Sequence, residues 1–272
     1  MPRASQTLAL EARRDRTMSV KRNVSSPREM PAVRSYERFC SQRDFQADRR
    51  RPVHDEALMT PEDVVPLHLA DVTYPESHPL AGQDGPVLAF AIRHPDGIVL
   101  VDTGVGEGNA WVKENYRPRV RDIREALAAA KLDPTAVLAV VNSHLHFDHC
   151  GQNRAFPGVP IHVQQAELDL ALREGHTVID WVDFPDARYE AVEGDREILQ
   201  GISVLATPGH TPGHQSVTVR TGDGLVLIVG QAAQDARSFA TGPADASIER
   251  LRELNADRIH FSHDRAVLRR RK

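Results

Sequence analysis

Four metal-binding side chains lie within six residues of this sequence, in the run His144-Leu145-His146-Phe147-Asp148-His149. Imidazole and carboxylate groups are the usual protein ligands of zinc and its first-row neighbours. In a loop, a spacing of two lets His144 and His146 converge on one ion, and Asp148 and His149 can then turn toward a second ion. The run follows an apolar, β-branched segment at residues 137–141, which predicts a buried strand with the ligands at its end.

A second histidine cluster occupies residues 207–214, with the sequence Thr-Pro-Gly-His-Thr-Pro-Gly-His. It lies between the apolar residues 202–206 and the β-branched residues 216–219, which predicts strand, tight loop, strand, with a histidine at each turn. Near the C-terminus, residues 259–264 (Ile-His-Phe-Ser-His-Asp) predict a third strand end that carries histidine.

With these clusters on one chain, the sequence resembles the metallo-β-lactamase superfamily of hydrolases, and within it the N-acyl homoserine lactonase branch. The resemblance runs from about residue 64 to about residue 267 and includes Val-Asp-Thr-Gly at 101–104, Val-Glu-Gly-Asp at 192–195 and Ser-His-Asp at 262–264. It implies an α/β fold, an αββα sandwich. Two mixed sheets would pack face to face with helices outside and a metal site at one edge.

The resemblance also implies six ligands in two sets, His144, His146 and His210 for one cation, and Asp148, His149 and His263 for the second. Asp102 matches a carboxylate that orients a ligand imidazole by accepting its other N–H, and its alternative is an ordinary turn residue. His214 matches a neighbour of the ligands, either a hydrogen-bond donor behind them or a core-facing loop residue.

One position departs from the family pattern. Members with two metals usually carry a bridging aspartate after the strand that here spans residues 225–229, and this chain has Gln231 there. An amide oxygen can coordinate a metal but brings no charge, so we expect a weaker second site or a different metal in it. Asp235 is an alternative source of the carboxylate. Gln234 stands where the lactonase branch often has a tyrosine that polarises the substrate carbonyl.

The expected cofactor is Zn²⁺ in two sites, with Mn, Fe or Co as alternatives. Two cations that share a water lower its pKa, so the implied nucleophile is metal-bound hydroxide, and Asp148 is the expected proton-transfer residue. The expected function is hydrolysis of an ester or lactone that resembles an acyl-homoserine lactone. The alternatives are a thioesterase or aryl esterase of the same superfamily, or a degenerate, non-catalytic metal-binding scaffold, which Gln231 keeps open.

Charge divides the 272 residues into two parts. Residues 1–58 hold 13 Lys/Arg and 8 Asp/Glu with few apolar residues, which predicts a disordered Arg-rich extension or a mis-assigned start. Residues 59–272 hold 21 Lys/Arg and 30 Asp/Glu and form the expected metallo-hydrolase domain. Its acidic charge argues for a small-molecule substrate and against nucleic acid. No signal-peptide core or apolar span of membrane length occurs, so we expect a cytoplasmic protein that does not bind membranes.

The elements around the ligands follow from periodicity. Residues 87–93 and 98–102 predict a hairpin around His-Pro-Asp-Gly at 94–97, and residues 161–163 a short strand. Helices are predicted at residues 121–131 and 165–173 and around Ile248 and Leu251. Residues 176–189 are expected to overhang the metals as a lid, whose aromatic side chains could line a substrate pocket or cover the core. Cys150 is expected to be a small buried residue rather than a ligand.

Overall fold

The structure, a computed structural model, describes residues 59–171, 173 and 175–270. The predicted extension at residues 1–58 lies outside the described residues, so that prediction stays open. Two β-sheets form the centre of the described region, and short helices lie outside them. In this part of the chain, no helix is long and apolar enough to cross a membrane.

The first sheet has seven strands in the order β4-β1-β2-β3-β5-β6-β7. These strands are β1 (Val64–Thr73), β2 (Asp84–His94), β3 (Gly97–Val101), β4 (Arg119–Val120), β5 (Val137–Val141), β6 (Pro160–Gln164) and β7 (Arg188–Val192). The pairs from β3 through β7 are parallel and the remaining pairs are antiparallel. The predicted hairpin is therefore confirmed, with β2 and β3 paired around the turn at residues 94–97.

The second sheet has six strands in the order β13-β12-β11-β10-β9-β8. These strands are β8 (Arg196–Leu199), β9 (Ile202–Ala206), β10 (Gln215–Thr221), β11 (Gly224–Ile228), β12 (Arg258–His260) and β13 (Leu268–Arg269). Only β11 and β12 pair in parallel. Both sheets are therefore mixed.

Seven α-helices connect the described strands. They are α1 (Ala110–Tyr116), α2 (Ile123–Ala129), α3 (Phe147–Cys150), α4 (Gln165–Ala171), α5 (Ile179–Val182), α6 (Ala236–Thr241) and α7 (Ala246–Glu253). The predicted helix at residues 121–131 is shorter because Asp122 caps it, accepting the N–H groups of Arg124 and Glu125 at 2.8 and 3.0 Å. The predicted helix at residues 165–173 is observed over Gln165–Ala171 among the described residues.

Alternation along the strands produces three apolar layers. Val99 and Val101 of β3 face the second sheet, while Leu100 faces α2 on the outside. On the far side, Leu227 of β11 packs against α6 and α7. Because the central strands bury both faces, β3, β5 and β11 are apolar almost throughout. The predicted αββα sandwich is confirmed.

Strand direction brings the candidate ligand loops to one edge of the sandwich. The parallel pair β3 and β5 ends at Val101 and Val141, and the parallel pair β11 and β12 ends at Ile228 and His260. The two sheets are joined at this edge by backbone hydrogen bonds of 2.8 Å, from Gln215 N–H to Ser143 O and from Leu88 N–H to Ser262 O. The loops that leave these strands therefore start from fixed positions.

We predict that His260 makes stability depend on pH. Its ring is 5 % exposed, packs on Phe90, and has no hydrogen-bond partner at Nε2. Burial, followed by the charges of Arg258 and Arg269, lowers the pKa of His260 to about 4. The unfolded chain, with a histidine pKa of roughly 6.5, therefore binds the proton more tightly. This contribution to stability is fully present above about pH 6.5 and is lost as the pH falls toward about 4.

His260→Leu should make the loss of stability between about pH 7 and about pH 4 smaller, by up to about 3 kcal/mol. Denaturant unfolding of both metal-free proteins across this range measures the difference. Metal-free protein is used so that the other buried histidines titrate alike in both. Parallel stability curves for the two proteins would show that His260 does not carry the effect.

Candidate metal centre

Three imidazole nitrogens converge at the edge of the sandwich and form the three-histidine group, His144, His146 and His210. Nδ1 of His146 lies 3.0 Å from Nε2 of His144 and 3.0 Å from Nε2 of His210. The predicted spacing of two therefore brings His144 and His146 together, and the loop after β9 adds His210. One cation can take all three lone pairs, whereas the imidazoles cannot satisfy one another completely.

A second cluster lies beside it and forms the Asp148 group, Asp148, His149 and His263. Oδ2 of Asp148 lies 3.7 Å from Nε2 of His149 and 3.5 Å from Nε2 of His263. All six predicted ligands thus fall into the two predicted sets. Metal binding by these residues stays a prediction, and their placement supports it.

Apolar residues anchor the segment after β5, residues 144–150, to the core. Leu145 and Cys150 are fully buried and pack with Val163 beneath the run, which leaves the polar side chains to face the edge. The single-turn helix α3 starts directly after His146 and carries Asp148 and His149. The Cys150 thiol contacts the Leu145 and His146 carbonyls, and it belongs to neither candidate ligand group.

The other nitrogen of three candidate ligands is held by a hydrogen bond. His149 Nδ1–H donates to Asp102 Oδ2 at 2.8 Å, and His263 Nδ1–H donates to the Pro86 carbonyl at 3.1 Å. The Ser143 hydroxyl donates to Asp102 at 2.9 Å, so it accepts from His144 Nδ1–H at 3.1 Å. These bonds select the tautomers in which Nε2 faces the candidate site, as metal-binding histidines require. Asp102 therefore has the predicted orienting position.

Burial keeps the three-histidine group neutral. Desolvation, followed by the neighbouring imidazoles, lowers the pKa of His144 well below its usual range. Desolvation likewise lowers the pKa of His146 to about 4 and that of His210 to about 3. Neutral imidazoles keep the lone pairs that a metal needs.

The Asp148 group requires a positive charge. Burial lowers the pKa of His149, but Asp148 and Asp102 outweigh burial and raise it to about 9. Burial also opposes ionisation of Asp148, yet His149 and His263 hold its pKa below the usual value. A proton on His149 or a cation beside it would balance these carboxylates. His263 Nε2 is buried without a hydrogen-bond partner, which fits a cation.

Gln231 lies at the Asp148 group, with Oε1 3.1 Å from His149 Nε2. Its backbone N–H donates to Nε2 of the fully buried His214 at 3.0 Å, while His214 Nδ1 contacts Thr207. His214 therefore supports the Gln231 loop from behind, accepting at Nε2 and donating its Nδ1–H to the Thr207 carbonyl at 3.1 Å, which fits the hydrogen-bond donor considered from the sequence. A Cβ on Gly230 would lie 2.8 Å from this imidazole, so glycine permits the approach.

Asp235 does not supply the missing carboxylate. Its side chain caps α6, accepting Ser238 N–H at 2.6 Å.

Gln234, at the position of the family tyrosine, donates to the Tyr74 hydroxyl at 2.9 Å. Burial and the charge of Asp148 raise the pKa of Tyr74 to about 12, so its phenol stays protonated. Nothing in the sequence indicated that Tyr74 contacts Gln234, because Tyr74 lies in the loop after β1, 160 residues before Gln234.

An apolar groove of about 540 Å³ opens beside the three-histidine group and includes His146 in its wall. Its other lining residues come from α1, the start of α3 and the predicted lid, and include Trp111, Tyr116 and Ile179. Trp111 and Ile179 are exposed. In contrast, Trp181 and Phe184 of the lid are buried among core residues, so these aromatic rings cover the core.

The family model of the metallo-beta-lactamase superfamily matches residues 82–263, and the chain belongs to this superfamily. The N-acyl homoserine lactonase AiiA of Bacillus thuringiensis subsp. kurstaki is 32% identical over 204 residues, which cover 66% of this chain and 81% of that protein. Membership of this superfamily, the similarity to a lactonase and the two candidate ligand groups identify the chain as a metal-dependent hydrolase of ester or lactone bonds.

Solved structures agree with the fold. One is a B. thuringiensis AiiA variant with N-decanoyl-L-homoserine bound at the active site, which has a TM-score of 0.64 and 27% identity and covers 77% of this chain and 94% of that chain. Another is an N-acyl homoserine lactone hydrolase with the product N-hexanoyl-L-homoserine bound at the catalytic metal center. It has a TM-score of 0.61 and 28% identity and covers 74% of this chain and 92% of that chain.

We predict that Gln231 makes the Asp148 group the weaker of two metal sites. A neutral amide in place of a carboxylate leaves the two cations with one negative charge fewer to offset them. After dialysis, the native protein should hold fewer than two metals per chain. Gln231→Asp should bring the count closer to two by restoring the charge. Elemental analysis against protein concentration measures the count, and Gln83→Asp at an exposed turn is the matched control. Two equally tight metals in the native protein, unchanged by Gln231→Asp, would contradict this role.

Proposed function

We propose that this chain hydrolyses N-acyl homoserine lactones with zinc in both ligand groups. The observation that carries the proposal is the pair of oriented His/Asp groups next to an apolar groove. Support comes from the relatives named N-acyl homoserine lactonases and from the structure with N-decanoyl-L-homoserine at its active site. Nitrogen and carboxylate donors suit zinc, and Mn, Fe or Co accept the same donors.

Each group has a role that follows from its position. The three-histidine group holds one cation and the Asp148 group the other. When bound, the metals supply Lewis-acid chemistry that activates water and polarises the substrate carbonyl. Asp102 and Ser143 keep His149 and His144 oriented through the hydrogen bonds at their Nδ1 atoms. The ligand geometry is thereby set before substrate binds, which is how a site stabilises developing charge at low cost.

Asp148 is the proposed proton-transfer residue. Its side chain is 12 % exposed, and although burial opposes ionisation, His149 and His263 hold its pKa below the usual value, so the carboxylate is ionised at neutral pH. Ring opening of a lactone releases an alkoxide that needs a proton. The Asp148 carboxylate would take a proton from the attacking water and deliver it to that alkoxide.

The groove accounts for the acyl part of the substrate. Trp111 and Ile179 expose apolar surface in a cavity of about 540 Å³, within the range of small-molecule pockets. An aliphatic acyl chain would bury this surface while the lactone carbonyl faces His146. A thioester or aryl ester also presents an acyl carbonyl, so these substrates are the competitors to test.

We predict that turnover of N-hexanoyl-L-homoserine lactone disappears on chelation and returns with zinc, manganese or cobalt. Turnover by mass spectrometry is compared with an aryl ester and an acyl thioester in the same preparation, and circular dichroism controls for unfolding. Full turnover by protein shown to be metal-free would refute the metal mechanism. Faster turnover of the ester or thioester would replace the proposed substrate. No turnover by metal-loaded protein on any substrate would favour a non-catalytic scaffold.

Asp148→Asn should lower kcat by roughly 10²–10⁴-fold with a smaller change in KM, because it removes the base but keeps the shape. Loss of a ligand to the Asp148 group adds to the effect. Asp169→Asn, on an exposed position of α4, is the matched control. Wild-type kcat in folded, metal-loaded Asp148→Asn protein would exclude proton transfer by Asp148.

A further inference from the structure

Glu167 is a fully buried carboxylate behind the three-histidine group, and the proposed mechanism does not use it. It lies in α4, and its oxygens accept three hydrogen bonds from three separate segments. The donors are Leu145 N–H at 2.9 Å, the Thr211 hydroxyl at 2.7 Å and His176 Nε2–H at 2.7 Å. A buried carboxylate is costly without such partners, so its donors are held in place.

The donors are neighbours of the candidate ligands. Leu145 lies between His144 and His146, so its N–H fixes the backbone that joins these two ligands. Thr211 directly follows His210, so its hydroxyl fixes the loop that brings the third ligand. These two bonds reach opposite oxygens of the same carboxylate. Glu167 therefore connects the two parts of the three-histidine group.

The third donor connects the same carboxylate to the groove. His176 lines the groove wall, and its ring centroid lies 4.9 Å from that of His146. Glu167 Oε1 thus accepts from both His176 and Leu145. The groove wall and the ligand backbone consequently share one anchor.

Backbone packing holds the His210 loop against Glu167. A Cβ on Gly213 would lie 2.3 Å from the Glu167 nitrogen and 2.6 Å from its Cα. Any side chain there would push the loop away from α4. Glycine therefore permits the short distance that the Thr211 hydroxyl needs to reach the carboxylate.

We propose that Glu167 is a positioning residue of the three-histidine group. By holding the Leu145 and Thr211 segments together, it sets the geometry in which His144, His146 and His210 bind a cation. The role rests on the proposed function, because it requires that this group binds metal. Residues that orient metal ligands typically contribute 10- to 100-fold to metal affinity, and we expect the same here.

Co²⁺ is the probe, because its visible absorption reports ligand geometry and chelator competition gives the affinity. Full-length His263→Ala protein, which weakens the Asp148 group, isolates the three-histidine group. In this background, Glu167→Ala and Thr211→Val should each weaken Co²⁺ binding about 10- to 100-fold and alter the spectrum. Glu167→Gln should recover part of the affinity, because its amide oxygen still accepts the Leu145 N–H.

Two controls match the substitutions. Glu193→Gln changes an exposed glutamate, and Thr218→Val removes another largely buried hydroxyl, on β10. Both should keep the Co²⁺ affinity and spectrum of the His263→Ala background. Thermal unfolding of each metal-free variant separates loss of stability from loss of affinity. If Glu167→Ala does not fold, Thr211→Val decides the test.

Folded Thr211→Val and Glu167→Gln proteins that keep the full Co²⁺ affinity and an unchanged spectrum would overturn the role of Glu167. Lower thermal stability with unchanged affinity would also overturn it, since Glu167 would then only stabilise the fold. A wild-type protein that binds no Co²⁺ is a different outcome. It would overturn the proposed function, and the role of Glu167 with it.

Discussion

Hydrogen bonds from loop donors to two buried carboxylates hold this site together. Asp102 joins the end of β3 to Ser143 and His149, and Glu167 joins α4 to the loops at Leu145 and Thr211. A hydrogen bond to a charged group contributes about 1.5–3 kcal/mol, and leaving a buried charge unpaired costs more. The loops therefore cannot move independently without exposing or orphaning a carboxylate. Rigid ligand placement follows from this constraint.

The sandwich makes the constraint effective because it fixes where the loops begin. β3 and β5 are parallel neighbours, so Asp102 and Ser143 leave the sheet side by side, and Ser143 N–H reaches Asp102 at 2.7 Å. Asp102 adopts a positive φ of 62°, which turns its carboxylate inward at a conformation that aspartate tolerates better than most residues. The apolar layers on both faces of the sheet keep these strand ends in register.

The two ligand groups differ in electrostatics although they are neighbours. Burial and the neighbouring imidazoles keep the three histidines neutral, whereas the Asp148 group contains a carboxylate and lies against Asp102. Gln231 contributes an amide oxygen there and no charge. His214 accepts the backbone N–H of Gln231 and Gly230 permits this approach, so the loop geometry at this position does not depend on a bridging carboxylate. The chain thus combines two candidate ligand groups with a charge balance that lacks one carboxylate.

The sequence by itself determined which side chains are candidate ligands and that they lie at strand ends, because apolar alternation and histidine spacing are local features. The αββα fold was implied by the resemblance to the superfamily, since periodicity leaves the order of the strands open. The resemblance also identified Asp102, which follows a recognisable strand. Only the tertiary structure showed the partners of Glu167, two of whose three donors lie 22 and 44 residues away, since buried polar pairing depends on long-range packing. The tertiary structure also decided the positions of Asp235, which caps α6, and of Trp181, which covers the core instead of lining the groove. Local pattern specifies which side chains can do chemistry, and the packing of distant segments decides which partners hold them.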